Sequence, residues 1–298
     1  MKKKELREVL ELYGLRPQSR FGQNFLVDEA LLKVIPEDAG VAKSDFILEV
    51  GPGVGSLTFQ LLNSAKQVCA IELDHGLIRL LRDRFASEIQ AKRLILVEGD
   101  VLASDEKLHP EVESWWSGLP CSPRIVSNLP YAISGPFLAR LPGRFFSSAL
   151  LLLQKEVAEK IINPKSIDGW SSLAIRMALS FDCQLGRKVP PEVFWPRPLV
   201  DSSFLDLRSM PDQISFEEDT ALNEVLRFVF IHRRKKMMPR LRQSFPRWHQ
   251  ALIDEGVELD VRPGSLSPNI WLKAFSVFAS IFIWMYVVSS AEIEVNKS

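Results

Sequence analysis

The chain is short of the residues that build metal and disulfide frameworks. Its three cysteines, Cys69, Cys121 and Cys183, form no CxxC pair, and His75, His109, His232 and His249 stand at no ligand spacing from them. That scatter argues against a zinc module or a disulfide scaffold, and points to a reduced cytoplasmic protein without metal. Net charge is missing too: 37 Lys and Arg balance 37 Asp and Glu, so overall charge announces no polyanionic partner. The first residues, with Lys2, Lys3 and Lys4, have no apolar core of the kind a secretory signal needs. Long apolar runs are absent until residues 274–291, AFSVFASIFIWMYVVSSA, which carry no charge but several serines. This run lies at the lower length limit for a bilayer span, and it reads as a buried element closing a small domain. No membrane partner is expected.

What is present suits a globular chain. Hydrophobic residues make 46% and charged residues 25% of 298, enough for one large domain and a smaller one. Residues 1–20 are polar and read as a helix followed by an irregular arm. FGQNFL, residues 21–26, reads as a compact loop, and Asp28 is placed to cap a helix carrying Leu31, Leu32, Val34 and Ile35. Apolar runs at 46–50, 67–72, 94–97, 124–127 and 149–153 read as buried strands, with helical patterns between them. That alternation predicts an α/β fold with a mostly parallel sheet and crossover helices. Proline-rich residues 189–198 read as a loop flanking a strand. Beyond Asp212 the pattern turns helical through Leu222, Val225, Leu226, Val229 and Phe230. The expected division is a catalytic domain at 1–209 and a small helical domain at 210–298.

Chemistry-bearing residues gather at the predicted strand ends, where open α/β sheets expose their working groups. Asn128-Leu129-Pro130-Tyr131 follows one strand, which Pro130 stops. An amide, a backbone carbonyl and an aromatic ring presented together suit a flat base with an exocyclic amino group. Glu49-Val-Gly51-Pro-Gly53-Val-Gly55 joins a strand to a helix, as a turn that lets a ligand approach the backbone closely. Such a turn accepts several nucleotide-containing ligands and does not by itself separate them. Glu72 follows about twenty residues later, at the spacing of a ribose-binding carboxylate, with Asp74 as a nearby backup. Asp100 ends the third strand and could accept from an adenine amino group. Basic residues cluster in His232-Arg233-Arg234-Lys235-Lys236, continued by Arg240 and Arg242.

In that order FGQNFL, EVGPGVGSLT, IELD, GD, NLPY, LLQKEVAEKI and FWPRPLVDS resemble the KsgA-type rRNA adenine N6-dimethyltransferases, from about residue 20 to 275. The resemblance implies a class I methyltransferase (Rossmann-like) fold. Its parts are a mixed seven-stranded sheet with helices on both faces and a small helical C-terminal domain. It implies S-adenosylmethionine-dependent dimethylation of two adjacent adenosines in the 3′-terminal hairpin of small-subunit 16S rRNA. The enzyme would act as a monomer on a pre-30S particle during ribosome biogenesis, without metal.

Carried over by position, Gln23, Asn24 and Leu26 cover the methionine end of the donor, and Gly51 and Gly53 form the turn beside it. Glu72 holds the ribose diol, Asp100 lies near the adenine, and Asn128 faces the donor as well as the target base. Leu129 and Tyr131 complete the base site, with Phe194 of the later proline-rich loop finishing the stack. Arg233, Arg234 and Lys235 bind phosphates.

Three departures stand out. Ser127 stands where the family often has Gly. Met237-Met238-Pro239 replaces a more polar stretch, with Pro239 expected to bend or end a helix. The tail beyond Phe275 is longer and more apolar than the family requires. Three rivals remain. An Erm-type large-subunit methyltransferase shares the core motifs, although RPGSLSP and WLKAF favour the small-subunit group. A non-catalytic rRNA-binding assembly factor would keep the pocket. A dinucleotide-dependent dehydrogenase would need a hydride-handling His or Lys beside the cleft, and none is apparent.

Overall fold

The computed structural model describes residues 2–18, 22–103, 107–162 and 169–277. Two compact units divide the chain. The first takes Met1–Leu141, Phe145–Ile162 and Phe181–Pro211. Its strands are β1 Phe25–Leu26, β2 Phe46–Val50, β3 Gln67–Glu72, β4 Leu94–Glu98, β5 Arg124–Asn128, β6 Ser148–Gln154, β7 Phe181–Val189, β8 Phe194–Trp195 and β9 Ser202–Ser209. Its helices are α1 Lys3–Leu12, α2 Glu29–Asp38, α3 Ser56–Ser64, α4 His75–Arg84, α5 Ala86–Gln90, α6 Pro110–Ser117, α7 Ser134–Leu138 and α8 Lys155–Ile162.

Seven strands form one sheet in the order β4-β3-β2-β5-β6-β9-β7, while β1 and β8 pair separately. The first five run parallel, and β9 is antiparallel to both β6 and β7. β2 is buried along its whole length and β6 along all but its ends, as strands covered on both faces must be. The helices enter where their caps say they should. Asp28 accepts from Leu31 N at 2.7 Å to start α2, and Asp74 accepts from Gly76 N and Leu77 N to start α4. Leu32, Ile35, Leu57, Leu61 and Leu81 then close over Ile47, Val68 and Ala70. α1 adds Leu6 and Leu10 to a smaller cluster with Phe25, Val54, Leu77 and Leu80.

The five parallel strands lie where the apolar runs put them, but β7 and β9 were not foreseen from the residue pattern. β7 buries only Phe181 and Val189, at its two ends. It exposes Leu185 and breaks register between Leu185 and Lys188. An edge strand built this way lacks the alternation that marks a half-buried strand. The mostly parallel sheet of the pattern is therefore a mixed sheet, as the family resemblance implied.

The second unit takes residues 142–144 and 163–180 together with 212–298. It holds α9 Ser172–Ser180, α10 Phe216–Phe230, α11 Met238–Ser244, α12 Pro246–Asp254 and helical residues 268–277. Ser215 and Glu218 form a reciprocal capping box that starts α10. α9 lies upstream of the 209/210 division, yet it packs on α10 through a buried pair. Arg176 Nε donates to Asp219 Oδ1 at 2.8 Å and Nη2 to Oδ2 at 2.5 Å.

Leu222, Val225, Leu226 and Val229 pack with Met237, Met238, Trp248 and Trp271. Burial of both methionines accounts for the apolar stretch at 237–238. Pro239 neither bends nor ends a helix. α10 stops at Phe230, the basic run forms an exposed turn, and Pro239 sits in the first turn of α11, where a missing N–H costs nothing. Ala274 and Phe275, which open the apolar run, are buried, with the Phe275 ring 5.9 Å from that of Trp248. Residues 278–291 of that run, and Phe21 of FGQNFL, lie outside the described residues. Among the described residues no helix is long and apolar enough to cross a membrane.

Removing one partner of a buried ion pair leaves an uncompensated charge. Asp219→Ala is therefore expected to lower stability by about 3–5 kcal/mol, read as a fall in the urea midpoint.

Candidate active site

The glycine turn leaves β2 in backbone conformations that side chains resist. Gly51 has φ +68° and Gly53 φ +60°. A Cβ on Gly51 would come within 2.7 Å of Pro130 Cγ, and one on Gly53 within 3.0 Å of the Phe25 ring. Both positions are thus reserved for Gly. From this turn Gly53 N donates to Glu72 Oε2 at 3.0 Å, while Asp74 N donates to Oε1 at 3.0 Å. The carboxylate is bracketed by backbone at the end of β3. With Leu73 N–H also acting on the carboxylate, at least one of its four lone pairs is left for a ligand hydroxyl. Burial pushes the Glu72 pKa up to about 7, against the pull of these N–H donors.

Asp74 turns out to have a different task from the backup ribose role. Its Oδ1 caps α4, and its Oδ2 accepts from Gln18 Nε2 at 2.7 Å and Gln23 Nε2 at 3.4 Å. Gln23 Oε1 accepts in turn from Gln18 N at 2.8 Å. The arm after α1 is thereby tied to the helix start beside Glu72. Asp100 stands exposed after Gly99, its Oδ1 accepting from Leu102 N at 2.8 Å.

β5 ends beside the same turn. Ser127 is buried and its Oγ donates to Val50 O at 2.6 Å, linking β5 to β2 one residue before Asn128 and one before Gly51. The Ser in place of Gly is therefore a cross-strand tie. Asn128 Nδ2 donates to Asn24 O at 3.1 Å, which turns Oδ1 the other way. Leu129 is buried, and Tyr131 is half-buried in the short turn Tyr131–Ile133.

Gln23, Asn24, Leu26, Gly51, Gly53, Glu72, Asp100, Asn128, Leu129 and Tyr131 line one cavity of about 220 Å³. Phe194 does not join them among the described residues. At 3% exposure it packs in the core, opposite Leu26 in the β1–β8 pair, one layer behind the wall. Its place in a short buried strand keeps the ring from the expected stack in this conformation. Arg233, Arg234 and Lys235 belong to the second unit, exposed in the turn after α10.

Glu49 also lines the cavity, and no role had been read for it. Only 2% exposed, it has an Oε2 without a hydrogen-bond partner. Desolvation pushes its pKa up to about 8, and the neighbouring Thr58 hydroxyl eases that shift without closing a bond on Oε2. The signal was present in FILEV, where one acid interrupts an apolar strand. A donor bearing an ammonium and a sulfonium suits this acid-lined, glycine-floored cavity, because a cation beside Glu49 would satisfy the oxygen and draw its pKa back down.

Glu49 and Glu72 hold their protons to higher pH in the donor-free fold than in an unfolded chain, whose carboxyls titrate near 4.5. The fold therefore binds more protons between about pH 4.5 and 8, and its stability falls as pH rises through that window. Glu49→Gln is expected to raise the thermal midpoint more at pH 8 than at pH 5. A differential scan of the donor-free protein checks this.

A family model described as ribosomal RNA adenine dimethylase matches residues 14–280. Ribosomal RNA small subunit methyltransferase A of Synechococcus sp. (strain CC9902) is 38% identical over 271 residues, spanning 87% of this chain and 95% of that protein. Its namesake from Clostridium acetobutylicum is 33% identical over 274 residues, spanning 90% and 95%. A solved dimethyladenosine transferase from Plasmodium falciparum shares the fold, with a TM-score of 0.63 at 24% identity over 86% of this chain and 98% of that one. The structure of the 23S rRNA methyltransferase ErmE aligns with a TM-score of 0.60 at 25% identity, over 85% and 98%. Matched along most of its length by one family model and by relatives at 33–38% identity, the chain belongs to the ribosomal RNA adenine dimethylase family.

Proposed function

We propose that this chain methylates N6 of two adjacent adenosines in the 3′-terminal hairpin of small-subunit rRNA, using S-adenosylmethionine and no metal. It acts as a cytoplasmic monomer on a pre-30S particle during ribosome biogenesis. The observation that carries this reading is the Asn128 amide, whose Nδ2 is committed to Asn24 O while its oxygen is turned away. The donor supplies an electrophilic methyl on its sulfonium.

Adenine N6 is a poor nucleophile because its lone pair is delocalised into the ring. Asn128 Oδ1 and the Leu129 carbonyl each accept one N6 proton, favouring a pyramidal nitrogen aimed at the methyl. Tyr131 stacks on the base, which must first leave its own stack in the RNA. No residue of the cavity is needed as a strong general base, since the proton can leave to water after transfer. Glu72 accepts from the ribose hydroxyls, Asp100 lies by the adenine, and Gln23, Asn24 and Leu26 cover the methionine end. Phe194 supports the wall from behind Leu26. In the second unit Arg233, Arg234 and Lys235 meet phosphates.

Relatives named for the small subunit, at 33–38% identity, favour this substrate over the large-subunit one of the ErmE-like reading. Methyl transfer from labelled donor to under-methylated small subunits, with the modified nucleotides mapped, tests it. Modification of large-subunit RNA instead, or particle binding without transfer, overturns it.

Asn128→Ala is expected to lower turnover by about a hundredfold or more while donor binding survives, measured by single-turnover transfer and by calorimetry. Glu72→Ala should chiefly weaken donor binding. Neutralising Arg233, Arg234 and Lys235 together should weaken particle binding at low salt and flatten its salt dependence, by about one unit of log–log slope for each phosphate left without its cation.

A further inference from the structure

Tyr131 opens a turn of three residues that lines the cavity, and it is half-buried there. Its hydroxyl does not face solvent alone. The Tyr131 Oη and Ser202 Oγ lie 2.6 Å apart, sharing one hydrogen bond. Ser202 is fully buried at the first position of β9. Gln154 of β6 opposes it on one side and Val189 of β7 on the other. Immediately before it, Asp201 O accepts from Lys155 N at 3.0 Å, pinning the approach to β9 against the start of α8. The serine is thus braced from two strands and from the residue before it.

We infer that Ser202 is a positioning residue of the acceptor site, holding the Tyr131 ring at the angle that stacks on the target base. This rests on the functional reading above. A ring free to swing would have to be ordered each time a base entered, and a tether from the sheet removes most of that cost in advance. The tether holds the phenol oxygen at Ser202, so Tyr131 presents its ring face to the base. Stacking of that kind tolerates any base. Recognition of the amino group is then left to Asn128 and the Leu129 carbonyl, and the ring sets only height and tilt.

The bond can be cut from either end, which gives the test. Ser202→Ala, Tyr131→Phe and the double variant are assayed on under-methylated small subunits, with donor affinity and thermal midpoint measured alongside. Each single variant is expected to lose about tenfold in kcat with a smaller change in KM for the particle, the cost of a loosened reacting geometry. The double variant should lose no more than either single, because all three lack the same bond. Donor affinity and thermal midpoint should stay near those of the parent. A Ser202→Ala variant with parental turnover overturns the inference, and so do losses that add in the double variant. Should Ser202→Ala fail to fold, Tyr131→Phe decides: it keeps both the ring and the serine, and full turnover in it overturns the inference. Failure of the unmodified chain to methylate small-subunit RNA overturns the functional reading as well, whereas an active parent with an unaffected Ser202→Ala overturns this inference alone.

Discussion

The parallel pairing of β2 with β5 sets the distance between two turns that would otherwise be independent. Leu48 sits opposite Ile125, and two residues on the Ser127 hydroxyl closes on the Val50 carbonyl at 2.6 Å. From there the two segments run on into Gly51 and into Asn128, the last residue of β5. Pro130 folds back so closely that Gly51 has no room for a Cβ. In the proposed reaction the first turn belongs to the donor and the second to the acceptor. The relation between the two reactants is thus carried mainly by one strand pair and its side-chain tie. Preorganisation of this kind does not depend on a loop closing over the substrates.

A second constraint is electrostatic. A chain with equal numbers of acids and bases still concentrates acids at one sheet edge, where Glu49, Glu72 and Asp100 meet. Two of these are buried, and burial alone works against their ionised forms. Backbone N–H groups from Gly53 and Asp74 offset part of this at Glu72, while Glu49 Oε2 has no such partner. A cation placed beside Glu49 would offset the desolvation of its carboxylate. A buried acid of this kind is a usual trade at binding sites, where local stability gives way to recognition.

Much of the first unit was legible because buried parallel strands write themselves as apolar runs, and because helix starts carry caps such as Asp28 and Asp74. The ligand-facing residues were legible by the same token, since they follow those runs at strand ends. Phe194 shows where that logic stops. Its position in a motif was plain, but whether its ring faces the cavity or the core depends on the β1–β8 pairing, two residues long on each side. β7 was hidden because an edge strand with a register break has no period to read, and β9 because Ser202, Ser203, Asp206 and Arg208 interrupt its apolar residues. Ser202 ends the FWPRPLVDS motif, but its bond to Tyr131, 71 residues away, leaves no local signal in the chain. Glu49 could have been noticed, as a charge inside an otherwise apolar strand.

The second unit is assembled from pieces that the chain supplies out of order. Arg176 of α9 waits for Asp219, 43 residues further along, and nine of the intervening residues build β7 of the other unit. The two units are therefore interleaved in sequence, and no single cut separates them. A fragment ending at 209 would carry α9 with Ile175 and Leu179 but without Asp219, while one starting at 210 would lack the helix that completes its core. Exchange of the helical unit between relatives would need five junctions, so the two units are best replaced together.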